Sequence, residues 1–251
     1  MAFLDEVVAY LDGELNTTGI PDYPGAMNGL QLQNSGGVPR IIAAVDASLP
    51  VITKAAVGGP GLLIVHHGMF WQGAQALTGA FYRKIRTAMD ADLAIYASHL
   101  PLDFHPRWGN NIRLAQAIDL EEITPFMETK GLAMGLRGTW RGGRDSLVST
   151  VGKAVGGPVH LCPGGPAEIS RVGLATGGAG SEIAKAAAEG IDTFITGEGP
   201  HWSYPLAEEL GVNLLYAGHY ATETFGVKAL AAMLGERLGT PWSFIDHPTG
   251  L

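Results

Sequence analysis

The stretch RIIAAVDASLPVITKAAVGGPGLLIVHHG, residues 40–68, contains two apolar runs with a short helical pattern between them. The segment 40–48 is apolar and β-branched and 61–65 is a second apolar run, so both are expected to form strands, and 49–57 is expected to form a short helix. Consecutive parallel strands need a crossover of about this kind between them. The stretch therefore predicts a β–helix–β unit. It also raises a question of chemistry, because the second apolar run leads straight into two adjacent histidines, His66 and His67.

The same alternation continues along the chain. The remaining pattern, in chain order, predicts a helix at 81–92, a strand at 93–99, a helix at 110–118, a strand at 171–178, a helix at 181–190 and a strand at 191–198. Residues 120–168 are rich in glycine and proline and have no clear periodicity. Alternating strands and helices are typical of α/β layers, so we expect an α/β fold with mostly parallel sheets.

Two spans of equal length indicate a degenerate internal repeat. Val45 and His66 are 21 residues apart, as are Ala175 and Thr196, and each span reads as strand end, helix and strand. Two pseudo-symmetric lobes would produce this pattern. Chance similarity between two β–helix–β units would produce it as well.

Composition limits the classes of function. The 251 residues include 16 Lys and Arg against 24 Asp and Glu, a formal net charge of -8. Because nucleic-acid binding depends on cationic attraction to phosphate, an acidic chain is a poor candidate for it. One cysteine, Cys162, excludes an internal disulfide and suits a reducing compartment. The amphipathic start of the chain lacks the features of a signal peptide, and no apolar run reaches 18 residues. We therefore expect a cytoplasmic protein without a membrane partner.

Histidines and carboxylates gather where predicted strands end. Six of the eight histidines follow the strands 61–65, 93–97, 191–196 and 212–216. The groups at these exits are His66 and His67, then His99, Asp103 and His105, then Glu198 and His201, and finally His219 and Glu223. Ligands in open α/β folds bind at the carboxyl ends of strands. Histidines packed for structural reasons alone would not concentrate there, so the pattern predicts a metal site.

The residue types indicate which metals would bind. Mixed histidine and carboxylate ligands suit Zn, Mn, Fe, Co or Ni better than Ca or Mg. His219 and Glu223 are four residues apart and share one helix face if the helix includes both. His66 and His67 alternate in direction along a strand, which favours two nearby ions over one, with Asp103 or Glu223 as a bridge. Paired ions are a common hydrolytic device.

Other features leave two interpretations open. Trp71 and Trp202 would either stack on a planar ligand ring or pack as ordinary core or interface aromatics. Asn28 and Gln31 would reach a ligand or belong to a plain loop. His105 lies in a turn sequence, where orienting the loop is the simpler role.

Four motifs together resemble a known family. They are VHHGMFW (65–71), SHLPLDFHPRWGNN (98–111), FITGEG (194–199) and AGHYATETFGVKAL (217–230). The sequence is similar in these motifs to the NIF-three-like proteins (NGG-one interacting factor three), also called GTP cyclohydrolase 1 type 2 homologues, and in particular to their short bacterial branch.

The resemblance implies a fold, an assembly and a ligand set. It implies two pseudo-symmetric α/β lobes, the first formed by residues 1–124 plus 217–251 and carrying most metal ligands, the second by residues 125–216. It implies a homo-hexamer arranged as a trimer of dimers, with two divalent transition-metal ions per chain. The family's metal ligands correspond to His66, His67, Asp103, His219 and Glu223. His99 matches a histidine beside the site, and Glu198 matches an acidic residue after the threonine and glycine.

The sequence also departs from the family pattern. Gly68 stands where many relatives have proline after the paired histidines. Many relatives also have a histidine within the helix that follows the FITGEG motif, whereas here His201 comes earlier and Pro205 falls where helix is expected. These differences change the expected pocket wall and leave the substrate open.

Two functional hypotheses follow. The first is a metal-dependent hydrolase that opens a cyclic C–N bond, as a GTP cyclohydrolase would, with water held between two ions as nucleophile. Glu198, His99 and His201 are then the candidate catalytic proton carriers, and the substrate is a small molecule such as a nucleotide or planar heterocycle. The second is a non-enzymatic metal-binding scaffold, metallochaperone or regulatory interaction protein.

Overall fold

The computed structural model describes residues 2–129 and 131–251, which pack as two compact units. Unit 1 contains residues 2–108 and 226–247, and unit 2 contains residues 109–129, 131–225 and 248–251. The first lobe expected from the resemblance, 1–124 plus 217–251, differs from unit 1 at 109–124, 217–225 and 248–251. The difference has a packing cause, because Leu114, Ile118 and Ala217 lie in a core cluster of unit 2.

The first 108 residues form strands and helices in alternation. The elements are β1 (Ala2–Phe3), α1 (Leu4–Glu14), β2 (Gly29–Leu32), β3 (Gly37–Val38), β4 (Ile41–Asp46), α2 (Leu49–Ala56), β5 (Gly61–His67), α3 (Gly79–Asp90), β6 (Leu93–Ala97) and α4 (Leu100–Asp103).

The rest of the chain continues the alternation. The elements are α5 (Asn110–Ala117), β7 (Glu121–Thr129), β8 (Leu132–Gly143), α6 (Arg144–Val155), β9 (His160–Pro163), β10 (Glu168–Leu174), a 3-10 helix (Ala179–Glu182), α7 (Ile183–Ala188), β11 (Thr193–Thr196), α8 (Ser203–Leu210), β12 (Asn213–Tyr216), α9 (His219–Thr222), α10 (Thr224–Leu238) and β13 (Trp242–Phe244).

The sheet of unit 1 has the strand order β13-β4-β5-β6-β2. Its first four strands are parallel to one another, and β2 is antiparallel to β6. Alternate residues of β5 enter two different cores, with Leu62 and Ile64 on one face and Leu63 and Val65 on the other. Both faces are covered, which is why the strand is a continuous apolar run rather than an alternating one.

Helices cover both faces of this sheet. Apolar residues of α1 and α10 pack on one face, and those of α2 and α3 pack on the other. Helix α2 begins after Ser48, whose hydroxyl accepts a hydrogen bond from Val51 N–H at 3.4 Å, with Pro50 in the first turn. This is a usual start for a crossover helix, and it brings the chain back to form β5 beside β4.

The sheet of unit 2 has the strand order β7-β8-β10-β11-β12-β9. The central strands β10, β11 and β12 are parallel, whereas β7, β8 and β9 pair antiparallel at the two sides. The antiparallel strands come from 120–168, the segment without a clear pattern in the sequence. The α/β prediction is confirmed, and the sheet of unit 2 is mixed.

Both spans of the suspected repeat fold alike. The first forms β4, α2 and β5, and the second runs from β10 through the 3-10 helix and α7 to β11. In each case the two strands are parallel neighbours. Within residues 2–129 and 131–251, every helix is too short or too polar to cross a membrane.

Candidate metal centre

Strand β5 extends through His66 and His67, two residues further than predicted. The His66 side chain is fully buried, and its Nδ1–H donates to the Ser98 carbonyl at 2.9 Å. The Nδ1–H of His67 donates to Asp46 Oδ1, also at 2.9 Å. A proton held on Nδ1 leaves the lone pair on Nε2, which is the form that binds a metal.

His99 is held in the same way by a loop far away in sequence. It follows β6 and precedes α4, and its Nδ1–H donates to Asp22 Oδ1 at 2.8 Å. Asp22 Oδ2 accepts from Leu100 N–H and from the Asn28 amide, and Asn28 Oδ1 accepts from His99 N–H. Burial raises the pKa of Asp22, but its hydrogen bonds outweigh that effect, and the pKa lies below its usual value.

These side chains form one group in unit 1. One ring nitrogen each of His66, His67 and His99 lies within 4.8 Å of the other two. Asp103 Oδ2 lies 3.5 Å from His66 Nε2. Carboxylates or carbonyls behind metal-binding histidines fix the tautomer and the ring orientation. All three histidines have such a partner, so the donor set fits a divalent transition-metal ion.

Trp71 forms a wall beside this group. Its ring meets His67 and His99 edge-on, with centroids 5.5 and 4.8 Å away. The indole remains 37% exposed. Trp202 is half exposed in the turn before α8.

Unit 2 carries a second group after β11 and β12. His219 begins α9, and its Nε2 lies 3.1 Å from Oε1 of Glu223, which is 3% exposed. The two residues therefore face each other as predicted from their spacing, although α9 ends at Thr222. His219 Nδ1 lies 2.8 Å from Glu198 Oε1. Burial lowers the pKa of His219, but the two carboxylates outweigh it and raise the pKa to about 9.

Glycines allow the backbone to approach this pair. Gly177 has φ +70°, and a Cβ there would lie 2.3 Å from Glu223 Oε1. A Cβ at Gly197 would lie 2.6 Å from the Cα of His219. Only glycine tolerates both the positive φ and the contact at position 177, so the turn after β10 forms one side of the pair.

The structure places the predicted site residues in different surroundings. Unit 1 brings together His66, His67, His99 and Asp103, and unit 2 brings together Glu198, His219 and Glu223. His201 is exposed in the turn before α8. His105 supports a turn, since its Nδ1 accepts from the N–H groups of Arg107 and Trp108 at 3.1 Å.

Two supporting carboxylates were missed from the sequence. Asp46 ends β4, so the rule that identified the histidines at strand ends would have found it. Asp22 lies in a loop 77 residues before His99. No local pattern distinguishes it from any other aspartate in a turn, and only the tertiary contact reveals it.

Comparisons with known proteins agree with these motifs. A protein of Deinococcus radiodurans named GTP cyclohydrolase 1 type 2 homolog is 43% identical, covering 98% of this chain and 94% of its own length. One of the same name from Pyrococcus horikoshii is 40% identical, covering 98% of this chain and 99% of its own. The crystal structure of TTHA1606 from Thermus thermophilus has a TM-score of 0.91 and 38% identity, covering 98% and 99% of the two chains.

A family profile matches almost the whole sequence. It is described as Duf34/NIF3 (NGG1p interacting factor 3), and it matches residues 4–249. The family resemblance seen in the motifs is confirmed, and the chain belongs to the Duf34/NIF3 family.

Proposed function

We propose that this protein is a metal-dependent hydrolase that opens a cyclic C–N bond, in GTP or in another planar cyclic amide or amidine. One observation carries the proposal. The Nδ1–H of His66 is held by a carbonyl and that of His67 by a carboxylate, which leaves Nε2 of each ring as the metal-binding atom. The names of the relatives support a hydrolytic role.

Five residues are the proposed ligands of two divalent ions per chain, of Zn, Mn, Fe, Co or Ni. The five ligands are His66, His67, Asp103, His219 and Glu223. Bound ions of this kind lower the pKa of a water and polarise the bond under attack.

The remaining polar groups hold or move protons. Asp46 and the Ser98 carbonyl keep the proton of His67 and His66 on Nδ1. Asp22 and Asn28 fix both the ring and the backbone of His99, which suits it to transfer a proton in a defined direction. Glu198 orients His219 through Nδ1. Glu198, His99 and the exposed His201 are the proposed proton carriers for the leaving nitrogen.

The first experiment is metal analysis of chain purified without chelator. We expect about two ions per wild-type chain and fewer in His67→Ala and in Glu223→Ala. His247→Ala is the matched control, because His247 lies outside both groups and should leave metal content unchanged. Asp103→Ala should abolish GTP ring opening, measured by product chromatography.

Two results would contradict the proposal. Wild-type chain that remains metal-free after reconstitution would remove its basis. Chain that holds metal but opens no ring across a panel of cyclic C–N substrates would instead favour the metal-binding scaffold or metallochaperone.

A further inference from the structure

Unit 2 contains a cleft at the carboxyl ends of β11 and β12. One cavity of about 460 Å³ is lined by residues that include His160, Glu198, Gly199 and Tyr216. An adjoining cavity of about 380 Å³ shares His160, Gly199 and Tyr216 and adds His201 and Tyr204. We call these six residues the His160–Tyr216 cleft. Its size and its position beyond parallel strand ends are typical of small-molecule sites.

Aromatic rings form the wall of the cleft. The antiparallel register of β9 and β12 places His160 opposite Tyr216, with ring centroids 6.4 Å apart and planes 13° from parallel. Tyr204 lies against His160 with centroids 5.8 Å apart. The Tyr216 hydroxyl forms a hydrogen bond with Ser203, which restrains the ring. Restrained, nearly parallel rings are suited to stacking on a planar ligand.

Glu198 is the charged side chain that lines the cleft. Its side chain is 43% exposed, and Oε1 accepts the hydrogen bond from His219. A carboxylate has further acceptor positions, so Glu198 can also accept from the N–H edge of a ring. Among the described residues that line the two cavities, none is lysine or arginine. The cleft therefore suits a neutral base with N–H donors rather than a phosphate.

We propose that the His160–Tyr216 cleft binds a purine-type base, with the ring face on His160 and Tyr216 and the donor edge on Glu198. The inference rests on the proposed function, since it assigns the substrate class of that hydrolase. Glu198 contacts His219 and also lines the cleft, so a bound base would lie next to the His219–Glu223 pair within unit 2.

Guanosine is the probe, because it carries the base without phosphate. Binding is measured by isothermal titration calorimetry to chelator-treated full-length chain, so that neither metal nor turnover is required. Tyr216→Leu and His160→Ala should each weaken binding by about tenfold, in line with the loss of one stacking partner. Tyr216→Phe keeps the ring and should remain within about twofold of wild type. Glu198→Gln should weaken binding about tenfold.

Tyr82→Leu is the matched aromatic control, since Tyr82 is an exposed residue of α3 in unit 1. Circular dichroism checks that each variant folds. If Tyr216→Leu does not fold, the test rests on His160→Ala, because His160 lies at an exposed position of an edge strand. Failure of wild type to bind guanosine, or equal weakening in Tyr82→Leu, would overturn the inference.

The two proposals fail separately. Guanosine binding that depends on the cleft, in a chain that neither binds metal nor opens GTP, contradicts only the proposed function. GTP ring opening with an unchanged KM in Tyr216→Leu and His160→Ala contradicts only the cleft.

Discussion

At the scale of single residues, the site depends on which group faces the Nδ1 atom of each histidine. His67 faces Asp46, His99 faces Asp22 and His219 faces Glu198, each through Nδ1 at 2.8 or 2.9 Å. His219 differs because a second carboxylate, Glu223, contacts its Nε2. Two carboxylates on one ring favour the imidazolium, so a metal ion must displace a proton to bind there.

The raised pKa of His219 predicts how stability changes with pH in the metal-free chain. The folded pKa is about 9, above the ordinary histidine value of about 6.5. The extra stability is therefore fully present below about pH 6.5 and is lost as the pH rises through about 9. The free energy of unfolding in urea with chelator should fall by on the order of 3 kcal/mol across that window.

His219→Gln provides the control for this prediction. Tyrosine, lysine and cysteine titrate in the same range in both proteins, so the difference between the two pH profiles isolates His219. Identical profiles for wild type and His219→Gln would show that the ion pair contributes nothing.

At the scale of elements, β2 and the end of β5 are fitted to each other. Gln31 of β2 accepts a hydrogen bond from Met69 N–H at 2.7 Å and donates to the Met27 carbonyl at 2.9 Å. Its amide occupies the space beside Gly68, where a Cβ would lie 2.1 Å from Gln31 Nε2. The glycine after the paired histidines is therefore matched to a glutamine 37 positions earlier.

Gly68→Ala should displace the Gln31 side chain and lower the free energy of unfolding by about 1–2 kcal/mol through the lost hydrogen bonds. Adding Gly68→Ala to Gln31→Ala should cost much less, because the space is already vacant. A double-mutant cycle in urea measures this coupling. Gly13→Ala is the matched control, since a Cβ there meets open space and should stabilise α1. If the effects of Gly68→Ala and Gln31→Ala on the free energy of unfolding are additive, the two positions are not coupled and the prediction is wrong.

At the scale of the whole molecule, large apolar side chains remain exposed on unit 1. Phe3, Val57, Leu77 and Met89 are each between 58% and 87% exposed. Where such side chains form one continuous surface, another chain often covers it. The hexamer expected from the family resemblance stays a prediction.

We expect light scattering to give a mass of about six times 26.3 kDa in solution. Replacing Phe3 and Met89 together with serine should reduce that mass, whereas Leu210→Ser in unit 2, also at an exposed residue, should not. A wild-type mass of a single chain would refute the expected assembly.

The sequence by itself determined the α/β class, the family and the histidines and carboxylates at strand ends. Each of these depends on local pattern, because apolar periodicity sets strands and helices and the carboxyl end of a strand follows from its position in the chain. The alternation along the chain gave the α/β class, four motifs together gave the family, and the strand ends gave the histidines and carboxylates.

Tertiary structure alone decided the rest. The mixed sheet of unit 2 arises from 120–168, where β8 pairs with β10 and β9 pairs with β12 across long stretches of the chain. Asp22 reaches His99 across 77 residues, and Gln31 reaches Met69 across 38. Contacts between residues so distant in sequence leave no periodic signal in the chain, because they depend on how the strands pair and the loops pack after folding.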